Sequence, residues 1–110
     1  MVQNKAIVKN KIDKFIATLK KHVTVNKVIL FGSWVNGNTD TFSDIDLAVF
    51  SPDFGKHKLK ELQLLSRLAW EVDESIEAIP CGSEQLNNND PTNFVYEIIK
   101  HGEIIYPKPS

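Results

Sequence analysis

Val8, Ile12, Phe15, Ile16, Leu19 and Val23 recur at three- and four-residue spacing, which predicts an amphipathic helix over residues 4–22 with one buried face. Residues 28–31, Val-Ile-Leu-Phe, have the β-branched and aromatic content of a buried strand. The pattern then changes to period two. Ile45, Leu47 and Val49 share one face, Asp44, Asp46 and Ala48 the other, so a second strand is expected with its apolar face in the core. Helical spacing returns over residues 56–72, where Leu59, Leu62, Leu65, Leu68, Ala69 and Val72 form a stripe read as core. Trp70 is read as packing and Arg67 as a surface residue. Residues 75–80 read as a short strand cut off by Pro80, with Ile76 and Ala78 on one side and Glu77 and Ile79 on the other. Asp90-Pro91 is a helix-start signal, so a last helix is expected from there to about His101, burying Val95, Ile98 and Ile99 and stopped by Gly102. A short extended piece, Glu103–Tyr106, follows. Polar, turn-forming stretches at residues 36–43, 51–55 and 81–89 connect these elements.

The chemistry gathers around the first two strands. Gly32 can take a backbone angle closed to other residues, and Ser33 is a favoured helix N-terminal residue. Residues 33–37 are long enough for about one helical turn closed by Asn-Gly. Free N–H groups at such a start make an anion site suited to phosphate. Ten residues after Ser33, Asp44 and Asp46 stand on one strand face, about 7 Å apart along the backbone. No Lys or Arg lies between residues 28 and 55 to neutralise them. Like charges that close raise each other's pKa or recruit a cation, and an oxygen pair suits Mg²⁺. Ala48, next on that face, is small and is expected to leave room for a ligand.

Gly32-Ser33, ten residues, then Asp44-x-Asp46 resembles the GS-x10-DxD signature of the polymerase-β-like nucleotidyltransferase superfamily, and the chain's size is most similar to its minimal nucleotidyltransferase (MNT) group. The resemblance implies an α/β (α+β) nucleotidyltransferase fold, a small mixed sheet packed with three or four helices. It implies Mg²⁺-dependent transfer of AMP from ATP to a hydroxyl, with Asp44 and Asp46 sharing two metal ions and Gly32 and Ser33 holding the terminal phosphates. The third acid of such a site stands on the strand after the second helix, which points to Glu77; an edge strand with a solvated Glu is the alternative. The resemblance extends to the end of the chain, since small members also finish with a helix, a glycine and a short apolar run near a tyrosine. One departure is Trp34, where related sequences often carry a basic residue. The lysines of the first helix are expected as its substitute, or else nucleotide affinity is low.

The 110 residues are expected to form one minimal nucleotidyltransferase domain, with no room for an acceptor-binding domain. The acceptor surface is therefore expected from a second copy, as a homodimer, or from another protein. MNT proteins commonly act as antitoxins beside a HEPN-domain toxin, which they can adenylylate on a tyrosine; this is the leading role that the resemblance implies. The alternatives are a binding module that neutralises a partner without turnover, and transfer to a small molecule such as an antibiotic. No signal peptide or membrane span is visible, and the single cysteine, Cys81, fits a reducing cytoplasm. His22, His57 and His101 are scattered and form no metal-ligand pattern. Net charge is −1, yet seven of the thirteen basic residues lie in the first 27 positions against one acid there, Asp13. A solvated lysine face explains this better than a partner site, and no motif for dedicated nucleic-acid binding is present.

Overall fold

The computed structural model describes residues 5–32, 34 and 44–108. The expected helical turn after Ser33 and the loop over residues 36–43 lie outside the described residues, apart from Trp34. Helix α1 (Lys5–Leu19) leads into strands β1 (Lys27–Phe31) and β2 (Ile45–Ser51), followed by helix α2 (Lys58–Val72) and strand β3 (Ile76–Gly82). A short 3-10 turn (Ser83–Asn87), helix α3 (Phe94–His101) and strand β4 (Glu103–Tyr106) complete the described chain. The four strands form one mixed sheet in the order β3-β2-β1-β4. β1 runs antiparallel to β2 and β4, whereas β2 and β3 are parallel, a pairing that needs the α2 crossover.

Period-two alternation sends the sheet's residues into two cores. Val28, Leu30, Ile45, Leu47, Val49, Ile76 and Ala78 face α1 and α2 and pack on Phe15, Leu19, Leu65 and Leu68. Ile29, Ala48, Phe50 and Cys81 face the other way and are covered by Ile98 of α3. The expectation of a single apolar face is thus corrected. The face carrying Asp46 is also core once the strand runs past it, and Ala48 is fully buried instead of leaving space for a ligand.

Helix α2 departs most from its sequence pattern. Leu65, Leu68 and Ala69 are buried, but Leu59 and Trp70 are each 69% exposed and Leu62 40%. Leu62 and Trp70 stand beside the edge strand β3 and not over the sheet's interior. Glu61 is buried instead. No side chain at His57 caps the helix. Glu61 reaches back and accepts hydrogen bonds from the N–H groups of Gly55 (2.9 Å), Lys56 (3.1 Å) and His57 (2.9 Å). These bonds, that from Gly55 foremost, hold its carboxyl below the usual value of 4.5 against the opposing effect of burial. Glu61→Gln should therefore cost about 1–3 kcal/mol at neutral pH, the range for hydrogen bonds to a charged group. Since the folded pKa is depressed, this contribution is present above pH 4.5 and lost as pH falls through the folded value. Urea midpoints for the two proteins should separate at neutral pH and converge in acid.

Two boundaries also move. β3 continues through Pro80 to Gly82, because it is an edge strand of the sheet and a missing N–H on its outer side breaks no ladder bond. The last helix begins at Phe94, not at Asp90-Pro91, and its N-cap is Asn93, whose side chain accepts from Val95 N at 2.8 Å. Asp90 accepts instead from the N–H and hydroxyl of Thr92, closing a turn ahead of the helix. Gly102 does end α3, but with an ordinary φ of −76°. Its lack of a side chain serves close approach, since a Cβ there would run into Ile29 and the Ile98 carbonyl.

Candidate active site

The acids lie where β1 ends and β2 and β3 begin. Phe31 is opposite Asp46, and Asp46 is opposite Glu77, so the three stand in one row across adjacent strands on one sheet face. Their partners in the alternation, Leu30, Leu47 and Ala78, point into the core beneath. Asp44, one residue before β2, is exposed. Sequence alternation had placed Glu77 opposite Ile76 and Ala78; the parallel pairing of β3 with β2 brings it beside Asp46.

Electrostatics mark the pair. Burial pushes the Asp46 carboxyl up to about 6, helped by the charges of Glu77 and Asp44 and by a hydrogen bond shared with Glu77. Gly32 completes this corner. Its φ of +77° lies in the left-handed region, and a Cβ at this position would press into Asp46 Oδ2. Glycine is needed here twice over, for the turn and for the space that the carboxylate occupies. The other expected phosphate ligand, Ser33, lies outside the described residues.

Trp34 packs partly buried against the core on the α1/α2 side. It fills space where a basic residue was the familiar choice. The lysines expected to compensate belong to a helix on the opposite face of the sheet from Asp46, and several are engaged there. Lys11 meets Asp73 at 3.1 Å, Lys5 meets Glu103 at 3.7 Å and Lys20 lies over the Tyr106 ring.

Among the described residues, no three His, Cys, Asp or Glu side chains converge tightly enough to form a ready-made metal cage. The donor set still fits Mg²⁺, which takes one or two carboxylates and fills its remaining positions with water and substrate phosphates. Asp46 and Glu77 would supply those carboxylates, with the exposed Asp44, one residue ahead of β2, as a third ligand. A divalent cation bound there would offset the repulsion among these carboxylates.

Two clefts flank the acidic row. One, along the outer side of β3, is lined by Leu62, Trp70, Ile76 and Glu77. The other lies between the end of β1 and α3, bordered by Phe31, Gly32, Phe94, Glu97 and His101. Sequence reasoning missed both. The available signals were weak: Trp70 next to a helical stripe, and Phe94 ahead of the buried Val95–Ile98–Ile99 positions.

The comparisons with known proteins bear on the family and the fold. A family model described as Polymerase beta, Nucleotidyltransferase matches residues 13–110. Comparison with curated proteins finds no match. Among solved structures, one similar chain comes from a toxin–antitoxin crystallised with AMP-PNP. It is 24% identical with a TM-score of 0.60, and the match covers 89% of this chain and 72% of that one. A candidate nucleotidyltransferase from Sulfolobus solfataricus is 14% identical with a TM-score of 0.58, covering 94% and 89%. At these identities the structural likeness is one of fold. The family match spans all but the first twelve residues, and on that ground the chain belongs to the polymerase beta nucleotidyltransferase family.

Proposed function

We propose that this protein transfers AMP from ATP to a hydroxyl of a partner protein, and that it acts in the cytoplasm as the antitoxin of a toxin–antitoxin pair. The observation that carries the reading is the Asp46–Glu77 pair, with Gly32 set against Asp46. Asp44, Asp46 and Glu77 are the metal-binding and catalytic acids. Mg²⁺ bound there, as two ions in the family's manner, would offset charge on the triphosphate and lower the pKa of the acceptor hydroxyl. The chain's own residues position the reactants. Gly32 and Ser33 would hold the terminal phosphates, and the fixed row of strands would aim the α-phosphorus at the acceptor. The acceptor oxygen bonds to that phosphorus as the bond to pyrophosphate breaks, and the hydroxyl proton leaves by way of the acidic pair to solvent.

A protein acceptor is favoured over a small molecule by the cleft along β3. Glu77 forms part of its wall, and the exposed Leu62 and Trp70 offer apolar anchors beside an edge strand. The likeness to a toxin–antitoxin chain points the same way, and a HEPN-domain toxin with a target tyrosine is the partner we assign. Trp34 favours a second reading, neutralisation by binding alone, because it replaces a phosphate-binding cation with a packed ring.

Incubation with α-labelled ATP, Mg²⁺ and the product of the neighbouring gene separates the readings. AMP on a partner tyrosine, absent with Asp44→Ala/Asp46→Ala, is the expected result. A tight complex that never acquires label would replace the enzyme with a binding module.

A further inference from the structure

We propose that the cleft between β1 and α3 is the seat of the nucleotide's base, with Phe94 as its stacking platform; this rests on the nucleotidyltransferase reading above. Phe94 is the first residue of α3 and is 62% exposed, an unusual position for a large aromatic. Its ring is held in place by an edge-to-face contact with Phe31, with centroids 5.8 Å apart and planes at 82°. The platform is therefore fixed to the strand that also sets the acidic row.

Three properties of the cleft identify its occupant. Its volume is about 330 Å³, at the small end for ligand sites and ample for a purine or pyrimidine base. Away from Gly32, its lining holds no Lys or Arg among the described residues and includes the Glu97 carboxylate, which disfavours phosphate at the α3 end of the cleft. The aromatic and apolar walls suit a flat ring, and Glu97 Oε2, 3.4 Å from His101 Nε2, offers a hydrogen-bond acceptor to an exocyclic amine such as that of adenine. Position agrees with chemistry. Phe31 is the strand neighbour of Asp46, and Gly32 borders both the cleft and the Asp46 carboxylate. Phe31 is one strand spacing, roughly 5 Å, from Asp46 and its ring touches Phe94, so a sugar and an α-phosphate bridge a base at Phe94 to the acids. The acceptor is left the cleft on the far side, along β3.

Calorimetric titration of the wild-type and Phe94→Ala proteins with ATP and with inorganic tripolyphosphate, both in Mg²⁺, tests this. Phe94→Ala should weaken ATP about tenfold, within the range for loss of one base–aromatic stack. It should leave tripolyphosphate unchanged, and Phe94→Trp should restore ATP binding. Unchanged ATP affinity would overturn the assignment, and so would equal weakening of both ligands, which would make Phe94 a structural residue. A Phe94→Ala defect confined to the KM for the partner protein would give the cleft to the acceptor and equally overturn it. If wild-type protein binds neither ligand, the nucleotidyltransferase reading fails with it; if wild-type binds both and only the Phe94 prediction fails, that reading stands.

Discussion

Asp46→Asn is expected to abolish AMP transfer and at the same time to stabilise the metal-free protein. The loss of activity follows from removing the central carboxylate of the acidic row. Electrostatic stabilisation by a bound metal is worth several kcal/mol, so transfer should fall about 10³-fold or more. The gain in stability follows from the raised pKa. The carboxyl ordinarily titrates near 3.8, and in the fold near 6. Between these values the folded state binds more protons than the unfolded state, so wild-type stability declines as pH rises through that window. Above it the full penalty of an ionised Asp46 beside Glu77 and Asp44 is carried. Asparagine removes that charge. Because Asp46 is only partly buried, solvent screening reduces the gain to about 1 kcal/mol. Thermal denaturation in chelator should show the variant equal to wild type below about pH 4 and more stable at pH 7. Added Mg²⁺ should reverse the order, since it stabilises only a protein that binds it. A variant less stable than wild type at neutral pH would mean that the carboxylates do not repel one another as the geometry requires.

Gly32→Ala should damage both fold and site. A non-glycine residue held at φ +77° costs about 1–2 kcal/mol. The added methyl also meets Asp46 Oδ2, so the carboxyl must turn away or the β1 turn must shift. Together these predict a loss of about 2–4 kcal/mol, which for a domain of this size lowers the melting temperature by roughly 10–20 °C. Transfer should be lost even in protein that remains folded. A double-mutant cycle with Asp46→Ala isolates the contact. Removing the carboxyl should recover the steric part of the loss and leave the backbone part. Strictly additive effects would place the cost in the turn alone.

These two substitutions mark the division between what was legible in the sequence and what was not. The Gly-Ser spacing singled out Asp44 and Asp46 as candidate acids, and alternation along β2 put Leu47 and Asp46 on opposite faces without reference to any fold. Helical periodicity likewise identified the buried positions of α1, because a face that repeats every three or four residues has one way to be buried. Glu77 was only a candidate. Its place beside Asp46 depends on β3 pairing in parallel with β2, a long-range register that no local pattern encodes.

Local sequence determined which residues alternate, which turns need glycine and where carboxylates cluster, since backbone sterics and side-chain periodicity act over a few residues. The tertiary structure decided what those patterns meet. It buried Ala48, exposed Leu59, Leu62 and Trp70, moved the last helix start to Phe94 and set Phe94 against Phe31. Each of these depends on where a helix lies against the sheet or which strand lies beside another. Burial and charge–charge energies belong to such contacts between distant segments, and so the acidic row and its two flanking clefts appear only once the chain has folded.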